Sequence, residues 1–387
     1  MRRLRDDWLS APATKAVFAA LSGDGAQVLF VGGCVRNALM RVPVSDIDIS
    51  TDLEPDLVLQ RARDAGIKTV PTGIEHGTVT LVVDGLAHEV TTFRKDVATD
   101  GRRAVVAFSR HVEEDAARRD FTMNALYARA DGTVIDPLGG MKDLEARRIR
   151  FIGVAQDRIQ EDYLRSLRYF RFHAWYGDLK EGFDADALAA IAGNLDGLAR
   201  LSRERVGMEM LKLLAAPDPA PSLAGMRSTG VLSRILPSAD DRALAPLIHI
   251  EAETGTAADI IRRLAALGGE ELVGPLRLSK AQGKRLLHLR EAATGAMTGA
   301  EMGYRMGHGP AMDALILRCA LLEHSWDREA ERGVDLGSNA SFPLRAKDLM
   351  PEFSGPALGA RLAMLETVWI SSGFRSTKAQ LLEHPES

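Results

Sequence analysis

FVGGCVRNALMRVPVSDIDIS, residues 30–50, runs from the end of an apolar strand through two glycines into a helix-like segment, then on to two aspartates spaced by one residue. Gly32 and Gly33 end the strand QVLFVGG and lead into CVRNALM, whose apolar spacing suits a helical turn. Free N–H groups at a helix start form a natural phosphate cradle, although a strand-ending glycine pair also serves as a plain tight turn. In SDIDIS the two-residue period of a strand puts Asp46 and Asp48 on one face while Ile47 and Ile49 face the core. Two adjacent carboxylates repel, and hard oxygen ligands beside a phosphate cradle point to Mg²⁺ held by one or two carboxylates. The same alternation also occurs on the solvated face of an edge strand.

Around that stretch the chain has 387 residues, 46% apolar and 26% charged, which fits a soluble globular protein of two or three domains and excludes a disordered one. Its two cysteines, Cys34 and Cys319, are too few for a disulfide framework and too far apart for a metal cluster, which points to a reducing cytoplasm. The basic N-terminus MRRLRDDWLS is followed by no long apolar run, so neither secretion nor membrane insertion is expected. A net charge of −4 means that any nucleic-acid partner must be held by local basic surface.

Residues 27–135 read as short β-rich runs broken by glycine, and beyond about 155 long amphipathic stretches rich in Leu, Ala and Arg take over. APDPAPS at 216–222 and LGSNASFPLR at 336–345 mark breaks within the helical part. In EDYLRSLRYFRF, residues 161–172, Arg165, Arg168 and Arg171 recur every three positions beside Leu164, Leu167 and Phe170. On a helix these steps form a cationic ridge and an apolar one, as on an amphipathic surface helix with an Asp162–Arg165 ion pair.

The block GG-x-V-R, followed ten positions after its arginine by D-x-D, resembles motif A of the class II nucleotidyltransferases, which include tRNA CCA-adding enzymes and bacterial poly(A) polymerases. E-D-x-x-R followed by L-R-x-x-R-F resembles their motif D, RRDFTMNALY (118–127) motif B, DPLGGMKDLEARRIRF (136–151) motif C, and LSRERVGMEMLKLL (201–214) motif E. The matches span roughly residues 28–235 in the family's order, and the C-terminal FPLRAKDLMPEFSGPALGARLAMLETVW is closer to CCA-adding enzymes than to poly(A) polymerases. One departure is Asn37, where the family usually has an aspartate; an amide still accepts a hydrogen bond, so the local structure should survive.

The resemblance implies an α+β chain, with a small nucleotidyltransferase-fold sheet head at 1–150, a helical neck at 151–215 and an all-α body and tail at 216–387. It implies that Asp46 and Asp48 bind Mg²⁺ and are catalytic, and that Gly33 and Arg36 contact nucleotide phosphates. Glu89, in AHEVTTFR, is a candidate third carboxylate. Arg119 would bind the nucleotide, Asp120 could accept the ribose 2′-hydroxyl, and Arg168 and Arg171 would lie near the triphosphate. In this family the aspartate and first arginine of motif D act as a protein template, here Asp162 and Arg165. Cytosine and adenine both offer an amino donor beside a ring-nitrogen acceptor, whereas uracil and guanine present the reverse, so an acceptor beside a donor selects C and A.

Asp136, Gly139, Gly140, Asp143 and Leu144 match the joint between head and neck. Asp100, Arg102 and Arg103 occupy the place of a flexible loop whose mixed charges favour A addition. The implied reaction adds CCA to a tRNA 3′ end from CTP and ATP with no nucleic-acid template, no membrane and no protein partner. Poly(A) addition on the same scaffold is the alternative, and a non-catalytic RNA-binding descendant a third reading.

Overall fold

Val28–Val31 (β1) is a continuous apolar run because both of its faces are covered, the mark of a central strand. A computed structural model of the chain describes residues 2–70, 73–74, 77–99, 104–269 and 271–385. In it β1 lies between Ile47–Thr51 (β2) and Tyr127–Ala128 (β8), antiparallel to both. The remaining strands are Lys68–Val70 (β3), Thr78–Val83 (β4), Leu86–Thr92 (β5), Arg94–Thr99 (β6), Ala104–Phe108 (β7) and Val134–Ile135 (β9). Seven of them form one sheet in the order β3-β4-β5-β2-β1-β8-β9, and β6 and β7 pair as a separate ribbon.

Within this sheet β2 and β5 run parallel, in register from Ile47 opposite His88 to Thr51 opposite Thr92. That register puts Asp48 directly beside Glu89, and Ile49 beside Val90 in the core. The alternation in β5 is strict from His88 onward: His88, Val90 and Thr92 are buried and Glu89 is exposed. Asp100, Arg102 and Arg103 lie outside the described residues.

From residue 155 the chain is helical, as expected. It divides into two units, 1–235 and 236–387. That division falls later than the expected break at 215/216, and the reason lies in the proline-rich stretch. Pro221 sits in the first turn of the helix Ala220–Ser228, where a missing N–H costs nothing, and that helix packs on Leu164–Tyr176. Gly225 permits this approach, since a Cβ there would stand 2.6 Å from Phe183 and 3.0 Å from Phe170.

The helix Leu164–Tyr176 is tied to the sheet by aromatic contacts. Phe121, just ahead of β8 in the chain, packs against Phe151 at 5.0 Å and Phe172 at 4.8 Å between ring centroids, and Tyr169 stacks on Phe151 at 5.6 Å. Such pairs add about 1 kcal/mol each beyond their buried area. In motif C, Gly140 is pressed against the backbone, where a Cβ would stand 2.1 Å from the Thr122 carbonyl oxygen. Asp136 accepts from the Gly140 and Met141 amides at 2.8 and 3.0 Å, so Gly140 is held tightly here while Gly139 has open space around it.

The second unit is all helical. Helices Gly299–Met306 and Arg328–Ser338 approach through glycines: a Cβ at Gly303 would stand 2.3 Å from the Val334 carbonyl oxygen, and one at Gly337 1.9 Å from that of Ala300. Its interior holds a buried charge cluster in which Glu251 accepts from Arg262 and Arg263 at 2.7 and 2.8 Å, and Arg262 donates to Asp313 at 2.6 Å. Among the described residues no helix is long and apolar enough to cross a membrane.

His173 is buried in the first unit, sharing a hydrogen bond with Ser222 Oγ at 2.8 Å and stacked on Phe183. Burial pushes its imidazole down to about 4. Below pH 6.5 the unfolded chain takes up a proton that the folded one refuses, so stability is lost as the pH falls from about 6.5 to 4, by up to about 3 kcal/mol. We therefore expect the unfolding free energy from urea titrations to fall more steeply over that window in the native protein than in His173→Gln; parallel slopes would contradict the assignment.

Candidate active site

The glycine turn is built as the sequence suggests. Gly32 adopts φ +67°, a conformation that favours glycine, donates its N–H to the Leu126 carbonyl at 3.1 Å, and is followed at once by the helix Gly33–Met40. Arg36, one turn in, is buried beneath this helix start. Its guanidinium donates to Asn37 Oδ1 at 2.9 Å, Asn124 Oδ1 at 2.7 Å and Tyr176 OH at 2.9 Å, and its centre lies 4.0 Å from the Tyr176 ring centroid. Asn37 also donates from Nδ2 to the Pro43 carbonyl at 2.9 Å, a bond no carboxylate could make, so the local structure holds with the amide in place.

Pro43 belongs to the loop that delivers the aspartates. Asp46 stands exposed just ahead of β2 and accepts from Ser45 Oγ at 3.0 Å; Asp48 lies within the strand, half-buried. Burial, then the neighbouring Glu89, then Asp46 push the Asp48 carboxyl up to about 6, against the pull of Arg119 and Arg36. The charges of Glu89 and Asp46 thus reach Asp48, although among the described residues no three carboxylates are placed closely enough to hold a metal ion as they stand. Glu89 joins through the register of β5, which its local sequence does not reveal.

Arg119 and Asp120 face two different networks. Arg119 donates to Asp115 Oδ2 at 2.8 Å, Tyr127 OH at 3.0 Å and Ser50 Oγ at 3.2 Å, and its Nη1 lies 3.6 Å from where a Cβ on Gly32 would be. Asp120 accepts from Phe121 N at 2.9 Å and Asn124 Nδ2 at 3.1 Å on one oxygen, and from Arg168 Nε and Nη2 at 2.8 and 2.5 Å on the other. Burial alone would raise its carboxyl, but Arg168 holds it at about 2. These four donors fill the four acceptor directions of a carboxylate, so a ribose hydroxyl would have to displace one of them.

The expected base-reading helix is two helices. Ala155–Glu161 ends at Asp162, which is extended with φ −153° and ψ 104°, and a new helix begins at Leu164. The simple Asp162–Arg165 ion pair is therefore replaced. Arg165 donates to Glu161 Oε2 at 2.5 Å and to the Arg158 and Arg118 carbonyls, while Asp162 accepts from Leu164 N at 3.1 Å and from Arg205 Nη2 at 2.6 Å. Arg171 donates through Nε to Glu209 Oε2 at 2.5 Å, and Arg168 reaches the other Glu209 oxygen at 3.9 Å. The structure thus draws Gly33, Arg36, Arg119, Asp46 and Asp48 around the glycine turn, and Asp120, Asp162, Arg165, Arg168 and Arg171 along the helix that packs against it.

Four partners escaped the sequence reading: Asp115, Glu161, Arg205 and Glu209. Motif E contains the last two, and the helical spacing of Arg205 and Glu209 was the available signal, since (i, i+4) residues share a face.

The chain is similar to known proteins over most of its length. Residues 28–150 match the family described as Poly A polymerase head domain, and residues 183–242 match Probable RNA and SrmB- binding site of polymerase A. CCA tRNA nucleotidyltransferase 1, mitochondrial, of Mus musculus is 31% identical over 385 residues, 96% of this chain and 89% of that one. The CCA-adding enzyme of Geobacillus thermodenitrificans is 43% identical over 223 residues, 57% of this chain and 53% of that one. The crystal structure of the Bacillus stearothermophilus CCA-adding enzyme in complex with CTP has a TM-score of 0.71 at 28% identity, covering 96% of this chain and 98% of that chain. Fold and family match together define a class II nucleotidyltransferase. The chain belongs to the family of CCA tRNA nucleotidyltransferases.

Glu209 is buried and balances Arg171 and Arg168 from the helix Arg203–Leu214. Its replacement by alanine strands Arg171 without a counter-charge, at a cost of about 3–5 kcal/mol. A clear drop in the urea midpoint of Glu209→Ala is expected; a midpoint equal to the native one would remove Glu209 from this role.

Proposed function

We propose that this chain adds C, C and A to the tRNA 3′ end with no nucleic-acid template, transferring CMP and AMP from CTP and ATP and releasing pyrophosphate. The observation that carries this reading is the pair at the helix break, where an acceptor, Asp162, and a donor, Arg165, are each braced by an opposite charge. Buried mismatches against such a pair cost about 1–3 kcal/mol each, enough to reject U and G.

In the reaction the RNA 3′-hydroxyl oxygen attacks the α-phosphorus, the bond to the bridging oxygen of the β-phosphate breaks so that pyrophosphate leaves, and the hydroxyl proton passes to solvent. Asp46 and Asp48 would hold Mg²⁺, with Glu89 beside them; when bound, the ion favours the ionised hydroxyl and neutralises charge on the phosphates. The N–H groups of the turn at Gly33 and the charge of Arg36 face the phosphates, and Arg119 reaches toward the same turn. Arg168 and Arg171 present planar donors suited to phosphate oxygens, with Asp120 and Glu209 orienting them. We assign catalysis to the head through residue 150, base selection to the neck helices that follow, and RNA holding to the helical remainder. The cytoplasmic reading rests on Cys34 and Cys319, both free and buried.

Poly(A) addition remains the second reading, because the matched head is described by the poly(A) polymerase family. Labelled CTP and ATP, offered with Mg²⁺ to tRNA transcripts ending before CCA, after C and after CC, with an unrelated RNA alongside, separate the two. Ordered addition of C, C and A that then stops is expected, together with its loss in Asp48→Asn. Long A tails on any RNA would favour the second reading, and no incorporation at all would favour a binding protein.

A further inference from the structure

The base-reading aspartate has no helix to hold it. Asp162 is extended between two helices, and the residue after it is closely packed. The Tyr163 ring lies flat on Gly197, where a Cβ would stand 1.9 Å from Cε1, with the Arg200 guanidinium 5.6 Å from its centroid. The side chain of Asp162 has two anchors. One is local, the Leu164 amide on Oδ1; the other comes from a distant part of the chain, the Arg205 guanidinium on Oδ2.

Arg205 is well placed to be a fixed support. It lies in the first turn of the helix Arg203–Leu214, with its own N–H bonded to the capping Ser202 Oγ at 3.4 Å. The same helix carries Glu209 on the same face, one turn on, bonded to Arg171. One helix therefore braces Asp162, just ahead of the arginine helix, and Arg171 within it.

We propose that Arg205 is a specificity-determining positioning residue: its guanidinium holds the Asp162 carboxylate in the one orientation that accepts from the amino group of cytosine or adenine. This rests on the reading of Asp162 as a base reader and extends it to a residue outside the base contact. A carboxylate has about four acceptor directions, so bonds from Leu164 and Arg205 leave room for the base amino group. With Arg205 removed, Asp162 keeps a single anchor and can turn its oxygens away. The penalty for a wrong base then falls, because that penalty depends on acceptor groups held rigidly against it. Binding of the triphosphate, which depends on other side chains, is untouched.

The test is the ratio of kcat/KM for CTP over UTP on a tRNA transcript lacking CCA, in the native protein, Arg205→Gln and Arg205→Lys. For Arg205→Gln the ratio is expected to fall about tenfold, with kcat for CTP changed far less, and Arg205→Lys should recover part of the loss. In an Asp162→Ala background, Arg205→Gln should lower the ratio no further. A uniform loss of rate with all nucleotides at an unchanged ratio would overturn the proposal, as would an added loss in the Asp162→Ala background. If Arg205→Gln fails to fold, Arg205→Lys alone decides by whether its ratio lies below the native one. Absence of CMP incorporation by the native protein would instead count against the proposed function itself.

Discussion

The ion pair between Arg168 and Asp120 joins the two halves of this site. Asp120 belongs to the segment that leads into β8, and Arg168 stands midway along the helix Leu164–Tyr176. Asp120 is withdrawn from water and Arg168 largely so, and losing Arg168 would leave the Asp120 charge buried alone, at about 3–5 kcal/mol. Around it Arg36 reaches from the glycine turn to Tyr176 at the end of the same helix, and Phe121 packs beneath. The glycine turn and the arginine helix are therefore fixed to a common frame. A polymerase that lacks a nucleic-acid template needs such a frame, because selection and chemistry must act on one nucleotide.

The two ends of the frame differ electrostatically, and each arrangement suits its task. At the sheet end burial, Glu89 and Asp46 raise the Asp48 carboxyl, and Arg119 and Arg36 do not offset them. Along the helix every arginine has a carboxylate partner: Glu161 for Arg165, Asp120 for Arg168, Glu209 for Arg171. Paired guanidiniums are held in orientation, and an oriented donor discriminates where a mobile one does not.

Much of this was legible in the sequence where the signal is local. The glycine turn and the shift from strand to helix near residue 155 follow from backbone chemistry over a few residues, and the structure has both; of SDIDIS, Asp46 stands ahead of the strand, Ile47 and Asp48 are half-buried alike, and Ile49 and Ser50 are both buried. What was hidden is set by distant pairing. Glu89 becomes Asp48's neighbour only through the parallel register of β2 and β5. The break at Asp162 interrupts a segment whose three-residue spacing reads as one helix, and with it the partner of Asp162 changes from Arg165 to Arg205. The proline-rich stretch at 216–222 looked like a boundary, yet proline in a first helical turn is no barrier, and the helix it opens packs into the first unit.

The central claim is that protein side chains on the helical frame choose the base while the sheet carboxylates hold the metal, so the two functions should separate by mutation. The most direct measurement is made on Asp162→Ala: Mn²⁺ affinity followed by electron paramagnetic resonance, alongside relative incorporation from CTP, ATP, UTP and GTP. Native-like Mn²⁺ binding with the preference for C and A lost is the predicted result. An undiminished preference for C and A in that variant would contradict it.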